Sequence, residues 1–342
     1  MLAAYIADPR IGAIADFYMP ETKDRQWQKE RMEAFEEACD LAVQKGAELV
    51  LLAGSVFAEE YIPDAVIAQV LEVIRGRKAV FVWNPDRVGR EYLKHRADIP
   101  SNFFVLNSGG NGSFLWKDAQ VGVWPGRERG DEEANVLLAD PARKLDGEGL
   151  AAVGKLCLRA VLLAAGASVF VREGQNFRRE AVGKLENTGF DDPEDSGFVL
   201  FGLEDGRLTS WEKIPMARYH FRTVSVAVEL EDDYIAVYRK CAAATASFTK
   251  HDFVRIVLKG RVDVEAFVRA DTLRENLEAR FFYLEVFNDC RLELDEEAYA
   301  NDISLKSEMI RMVLGDDSLS ESEKSRIIQC GWNALRGKEL PE

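Results

Sequence analysis

Glu48-Leu49-Val50-Leu51-Leu52-Ala53-Gly54 decides the fold class: an unbroken apolar run after one acid, stopped by glycine. A run with no polar alternation reads as a strand covered on both faces, as in a parallel sheet. Its neighbours agree. Before it, Asp24–Lys45 is a charged amphipathic segment with Trp27, Met32, Phe35, Cys39 and Ala42 at helical spacing, closed by Gly46. After it, Pro63–Arg75 reads as a second helix and Lys78–Trp83 as another buried strand. Ala3–Ala7 supplies an earlier strand, followed by a polar loop over Pro9–Thr22. Strand–helix–strand units on short connections imply a layered α/β domain whose functional loops lie at the carboxyl ends of the strands.

Further short strands are expected at Asn102–Leu106, Ser113–Lys117, Ala119–Trp124, Asn135–Ala139, Val161–Ala164 and Gly197–Leu203. The last turns through Asp205-Gly206 into Leu208–Ile214, a hairpin signal. Near Pro215–Tyr219 the pattern changes to strand, helix, strand, helix, strand and two acidic helical segments, Glu296–Leu314 and Ser320–Leu335. Ser320-Glu321-Ser322-Glu323 is a capping box at the start of the last helix. The expected domains are residues 1–217 and a smaller α+β domain over 220–342.

The chain has 342 residues, 47% hydrophobic and 30% charged, which excludes a largely disordered polymer. No apolar run approaches the ~18–20 residues of a membrane-spanning helix. The opening Met1–Asp8 reads as a strand and not as a signal peptide, so the cytoplasm is expected. Five scattered cysteines without a C-x-x-C pair indicate free thiols. A net charge of −15 gives no overall field to hold a polyanion. Against it, Arg75, Arg77, Lys78, Arg87, Arg90, Lys94 and Arg96 crowd one stretch beside only Asp86 and Glu91. That stretch reads as a solvated helix face and loop, or as part of an anion-binding surface. His95, His220 and His251 are the only histidines, which nearly excludes a histidine-rich metal site.

The loops at the strand ends are Asp8-Pro9-Arg10-Ile11-Gly12, Ala53-Gly54-Ser55-Val56-Phe57 and Trp83-Asn84-Pro85-Asp86. In this order they resemble the calcineurin-like metallophosphoesterase superfamily, above all its SbcD/YhaO-type DNA repair exonuclease branch. Gly183–Phe198 is similar to a later segment of that branch, and Asp302–Met309 to its capping domain. The resemblance implies a layered phosphoesterase-type β-sandwich flanked by helices, with a C-terminal capping domain. It also implies a homodimer, an SbcC-like coiled-coil ATPase as partner, action on DNA, and manganese in active relatives.

The departures matter as much as the likeness. Members bind a pair of metal ions through Asp, His and Asn. Here Arg10 stands at a histidine position, Ser55 at the bridging aspartate and Pro85 at the histidine after Asn84. Arginine has no lone pair to donate, and proline offers neither ligand nor acid. Asp8, Asn84 and Asp86 remain as weak metal candidates, so no cofactor is expected and no confident catalytic residue is named. Asp8 and Asn84 alternatively cap loops by accepting backbone N–H bonds. Arg10, Arg87, Arg90, Arg127 and Arg129 are candidate phosphate-binding residues, or Arg10 pairs with Asp8 or Asp86. Two functional readings follow: a catalytically inactive SbcD-like pseudo-nuclease that binds and scaffolds, or an exonuclease with a site rebuilt from Asp8, Asn84 and Asp86.

Overall fold

The structure is a computed structural model that describes residues 1–15, 17–58, 61–106, 113–117, 119–124, 135–139, 162–165, 168–173, 176–192, 196–263, 270–293 and 302–335. The chain divides into two units, Met1–His220 and Phe221–Glu342. In chain order the first contains β1 (Leu2–Ala7), α1 (Glu21–Gln44), β2 (Leu49–Ala53), α2 (Asp64–Arg75), β3 (Val80–Trp83) and α3 (Arg87–Leu93). There follow β4 (Phe103–Val105), β5 (Ser113–Trp116), β6 (Ala119–Trp124), β7 (Val136–Ala139), β8 (Leu162–Ala165), β9 (Ser168–Glu173), β10 (Asn176–Ala181), β11 (Gly197–Glu204) and β12 (Arg207–Pro215). The chain is thus of mixed α/β class.

One six-stranded sheet runs β12-β11-β1-β2-β3-β4, the other β10-β9-β8-β7-β6-β5. In the first, β1 to β4 are parallel and β11 returns antiparallel against β1. Its central strands are buried on both sides, which is why β2 carries no polar residue. On one face, Ile6, Val50, Leu52 and Phe81 pack with Phe35, Cys39 and Ala42 of α1 and Ile67, Leu71 and Ile74 of α2. On the other, Tyr5, Leu51, Val82 and Phe201 share a core with Val121, Val136, Leu138 and Val169 of the second sheet.

Several local differences from the sequence reading have plain causes. Helix α1 begins at Glu21, because Pro20 is preset at φ −56° and Glu21 and Asp24 favour the helix's positive end. Strand β10 escapes the sequence reading because Asn176-Phe177-Arg178-Arg179-Glu180 is too polar to signal a strand. The Asp205-Gly206 hairpin is present, with both residues at positive φ as a two-residue turn demands.

In the second unit β13 (His220–Val228), β14 (Asp252–Asp263) and β15 (Tyr283–Glu293) form a three-stranded sheet in which β14 and β15 are parallel. Helices α4 (Tyr234–Ala244) and α5 (Ala270–Leu277) cover it through Val237, Cys241, Leu273 and Leu277 against Val254, Ile256 and Leu258. Helix α6 (Leu305–Leu314) meets α7 (Glu321–Leu335) through Ile310, Ile328 and Trp332. The capping box forms as read: Ser320 N donates to Glu323 Oε2 at 2.8 Å and Glu323 N to Ser320 Oγ at 3.3 Å. No helix among the described residues is long and apolar enough to cross a membrane.

Each unit has its own apolar core, which predicts independent folding of the first. A chain of residues 1–220 should unfold in one cooperative denaturant transition and keep the near-ultraviolet circular dichroism of the buried Trp27 and Trp83. A non-cooperative melt would show that its core is incomplete.

Candidate functional site

The carboxyl ends of β1, β2 and β3 are joined by a network that the strand-end loops build among themselves. Beyond β1, the chain continues in step with the loop after β2: Asp8 N donates to Ala53 O at 2.9 Å, Arg10 N to Ser55 O at 3.0 Å, and Ile11 N to Val56 O at 2.8 Å. Achieving this places Asp8 at φ 42° and Arg10 at φ 45°, both in the left-handed region. Such strain costs roughly 1–3 kcal/mol per residue and persists only where surroundings impose it.

Asp8 accepts from Ser55 N at 2.9 Å through Oδ1. The approach needs Gly54, at φ 70°, since a Cβ there would lie 2.0 Å from the same oxygen. Burial pushes the Asp8 carboxyl above its ordinary value; the Ser55 N–H, Lys184 and Arg10 oppose this, and Asp86 adds to it. Asp86 is committed elsewhere. Its Oδ2 accepts from Ser55 Oγ at 2.7 Å, and its Oδ1 caps α3 by accepting from Gly89 N at 2.7 Å. Asn84 and Pro85 are buried, and Trp83 Nε1 donates to Gly54 O at 3.1 Å, tying β3 to the second loop.

The third wall is the segment after β10. Leu185 N donates to Ala7 O at 2.9 Å, which hangs this segment on the end of β1. Lys184 Nζ donates to Asp192 Oδ1 at 2.5 Å and Thr188 Oγ1 at 3.0 Å, and Thr188 N donates to Asp192 Oδ2 at 2.7 Å. Arg31 of α1 locks this wall to the first loop. Its Nη2 donates to Pro9 O at 2.8 Å and Arg10 O at 3.4 Å, its Nη1 to Asn187 O at 3.0 Å and Glu186 O at 3.4 Å.

Between these walls lies a cavity of about 430 Å³ lined by Arg10, Ala13, Ile14, Ala15, Lys184, Thr188, Gly189, Asp191 and Asp192. Arg10 forms no ion pair among the described residues, and its buried Nε has no hydrogen-bond partner. The expected pairing of Arg10 with Asp8 or Asp86 is therefore replaced by an uncommitted guanidinium facing a cavity.

The structure brings Asp8, Arg10, Ser55, Asn84, Pro85 and Asp86 to one end of the sheet, but not as a ligand set. Among the described residues, no group of three or more His, Cys, Asp and Glu is placed to hold a metal ion. Arg87 is exposed on α3, and Arg90 donates to Pro85 O at 2.9 Å; neither lines the cavity. Arg127 and Arg129 lie outside the described residues. Much of the basic stretch is consumed locally: Arg77 pairs with Glu36 and Asp40, Arg96 with Asp64 and Asp98, and Arg75 with Glu72.

Arg31, Lys184, Thr188 and Asp192 are site residues that motif reading passes over. Arg31 had a signal: it falls between Trp27 and Phe35 at four-residue spacing, a charge on the buried face of α1. Lys184 had none.

No family model matches the chain, and no curated protein does. Among solved structures it is similar to a glutamine-dependent NAD+ synthetase from Acinetobacter baumannii (11% identity, 98% of this chain and 73% of that one, TM-score 0.39). It is also similar to an amidase from Nesterenkonia sp. (16% identity, 60% and 90%, TM-score 0.33). A third is a glutamine-dependent NAD(+) synthetase from Cytophaga hutchinsonii (10% identity, 97% and 71%, TM-score 0.36). Scores this low carry no argument about what the chain does.

The expected membership of the calcineurin-like superfamily and the SbcD-like nuclease or pseudo-nuclease function are corrected: no family model and no curated protein matches, and the similar solved structures are NAD+ synthetases and an amidase. The physical reason is that Asp, Gly and Asn at the carboxyl ends of parallel strands are what any such sheet places there to turn and cap its loops. Asp8 serves the Ser55 amide and Asp86 caps α3, so the residues that suggested metal chemistry have structural employment. The expected ATPase partner, DNA, homodimer and manganese rest on that resemblance alone.

Two expected outcomes test this architecture. Arg31→Met removes the donor to four carbonyls and should cost about 3–5 kcal/mol in urea unfolding, the scale of losing a buried charged partner. The second concerns Glu186, whose buried carboxyl is pushed up to about 7 by desolvation, against the Arg218 N–H and Arg31. Its folded value exceeds its unfolded one, so the folded state holds a proton that the unfolded state releases. Stability should fall as pH rises through that window, from the ordinary carboxylate range to about 7, by roughly 3 kcal/mol. Glu186→Gln should flatten the decline when unfolding is compared at about pH 5 and pH 8.

Proposed function

We propose that this chain is a binding protein for a small anion, seated in the cavity between the loop after β1 and the segment 184–192. One observation carries the reading: the Arg10 side chain lines the cavity and forms no ion pair among the described residues. A half-buried guanidinium is usually paired with a carboxylate or carbonyl, so one left over at a cavity calls for an acceptor from outside. The backbone supports the same role. Arg10 is held at φ 45° by its own N–H on Ser55 O and by its carbonyl, which accepts from Arg31 and from Ala13 N. These bonds fix the backbone from which the side chain springs.

Lys184 adds a second cation whose field is largely spent on Asp192. The two six-stranded sheets, which share one core cluster, are read as stacked layers with the cavity at the end of the first. The scattered free thiols suit a reducing compartment, and the cytoplasm is the location proposed.

Calorimetric titration with acetate and with inorganic phosphate tests the reading. Binding should appear at low ionic strength and weaken as salt screens it. Arg10→Gln should weaken it by roughly 10–100-fold, the range of a hydrogen bond to a charged group. Wild-type affinity in Arg10→Gln would dismiss the site.

A further inference from the structure

The cavity is not lined by charge alone. Ala13, Ile14 and Ala15 sit beside Arg10 on its wall, and Ile14 is 56% exposed, a large aliphatic side chain left to water at the cavity's edge. The sequence places this apolar triplet directly after the strained loop, where Ala13 N is held by Arg10 O at 3.0 Å.

The charge balance narrows the ligand further. The lining contains Arg10 and Lys184 against Asp191 and Asp192. Lys184 and Asp192 neutralise each other at 2.5 Å, so Arg10 is the uncommitted cation, with Asp191 exposed beside it and Asp8 close enough to feel its charge. A dianion would meet one free cation and two carboxylates. A monoanion meets a match. The Nε of Arg10 is buried, so the donors it can offer the cavity are its two Nη groups, a planar fork that takes both oxygens of a carboxylate.

We propose that the occupant is an organic monocarboxylate with an aliphatic tail, its carboxylate forked on Arg10 and its tail laid on Ala13, Ile14 and Ala15. This rests on the cavity being an anion site and adds the class of anion. Thr188 Oγ1 and the Gly189 backbone border the same space and leave room for a polar atom near the carboxylate.

The experiment is a calorimetric series on the full chain with acetate, butyrate, hexanoate, hexyl phosphate and inorganic phosphate. Affinity should rise about fourfold for each methylene buried, the equivalent of ~0.8 kcal/mol, and hexanoate should bind more tightly than hexyl phosphate at a pH where the latter is a dianion. Ile14→Ser, an exposed position that does not threaten folding, should flatten the chain-length dependence while leaving acetate binding intact. A wild-type series with no dependence on chain length overturns the proposal, as does hexyl phosphate binding more tightly than hexanoate. If either result comes with binding still lost in Arg10→Gln, the anion site stands and only the ligand class fails. Absence of all anion binding at low salt overturns both.

Discussion

A single buried guanidinium holds the candidate site together. Arg31 is 2% exposed, on a helix face otherwise given to Trp27, Met32 and Phe35, and it spends its donors on backbone carbonyls. Removing such a charge from water is expensive, and burial lowers its own proton affinity to about 10. The return lies in geometry. Carbonyls of Pro9 and Arg10 on one side, and of Glu186 and Asn187 on the other, have no helix or sheet partner in this role. Besides Arg31, the two cavity walls are joined by the Leu185–Ala7 bond and by Phe17 against Phe190, with ring centroids 5.8 Å apart. Its nearest compensating charge is the Glu186 carboxylate, itself buried and held by the Arg218 amide at 3.0 Å. The pair couples the middle of α1, the loop after β1, and the chain leaving β12.

The same constraint explains the strained backbone. Two residues flanking Pro9 occupy the left-handed region, where an L side chain crowds its own carbonyl. Neither would stay there in a free loop. Pairing with the loop after β2 fixes their amides, Arg31 holds the carbonyls of Pro9 and Arg10, and Gly54 removes the one Cβ that would block Asp8 from the Ser55 amide. Asp8 is thereby the structural member of the pair and Arg10 the presented one. Their different fates follow from side-chain length: a carboxylate folds back onto the neighbouring amide, while a guanidinium reaches past it into the cavity.

How much of this the sequence discloses depends on whether the signal is local. The parallel core is legible because strands buried on both faces must be continuously apolar, and β2 is. The Asp205-Gly206 turn and the Ser320–Glu323 capping box are legible because their chemistry sits within four residues. The loops at the ends of β1, β2 and β3 are legible as a cluster, since topology alone gathers them. Their chemistry is not. Asp, Gly and Asn there serve equally as caps and as ligands, and only coordinates show Asp86 closing a helix and Asp8 a loop. Lys184 and Thr188 are less legible still, because what brings them to the first loop is a strand returning antiparallel from far along the chain.

The uncommitted arginine stands out against the other basic residues near the site. In an acidic chain, cations are scarce and quickly claimed: Arg77, Arg96 and Arg218 each answer two carboxylates, and Lys184 answers Asp192. Arg10 lies close enough to Asp8 to influence its proton, yet Asp8 has turned to the Ser55 amide. A carboxylate satisfied by a backbone amide does not need a guanidinium, and burial pushes the Asp8 carboxyl above its ordinary value. The amide thus does more than cap a loop. By occupying Asp8 it keeps Arg10 available, so the feature that looks like a lost ion pair is the condition for an open anion seat.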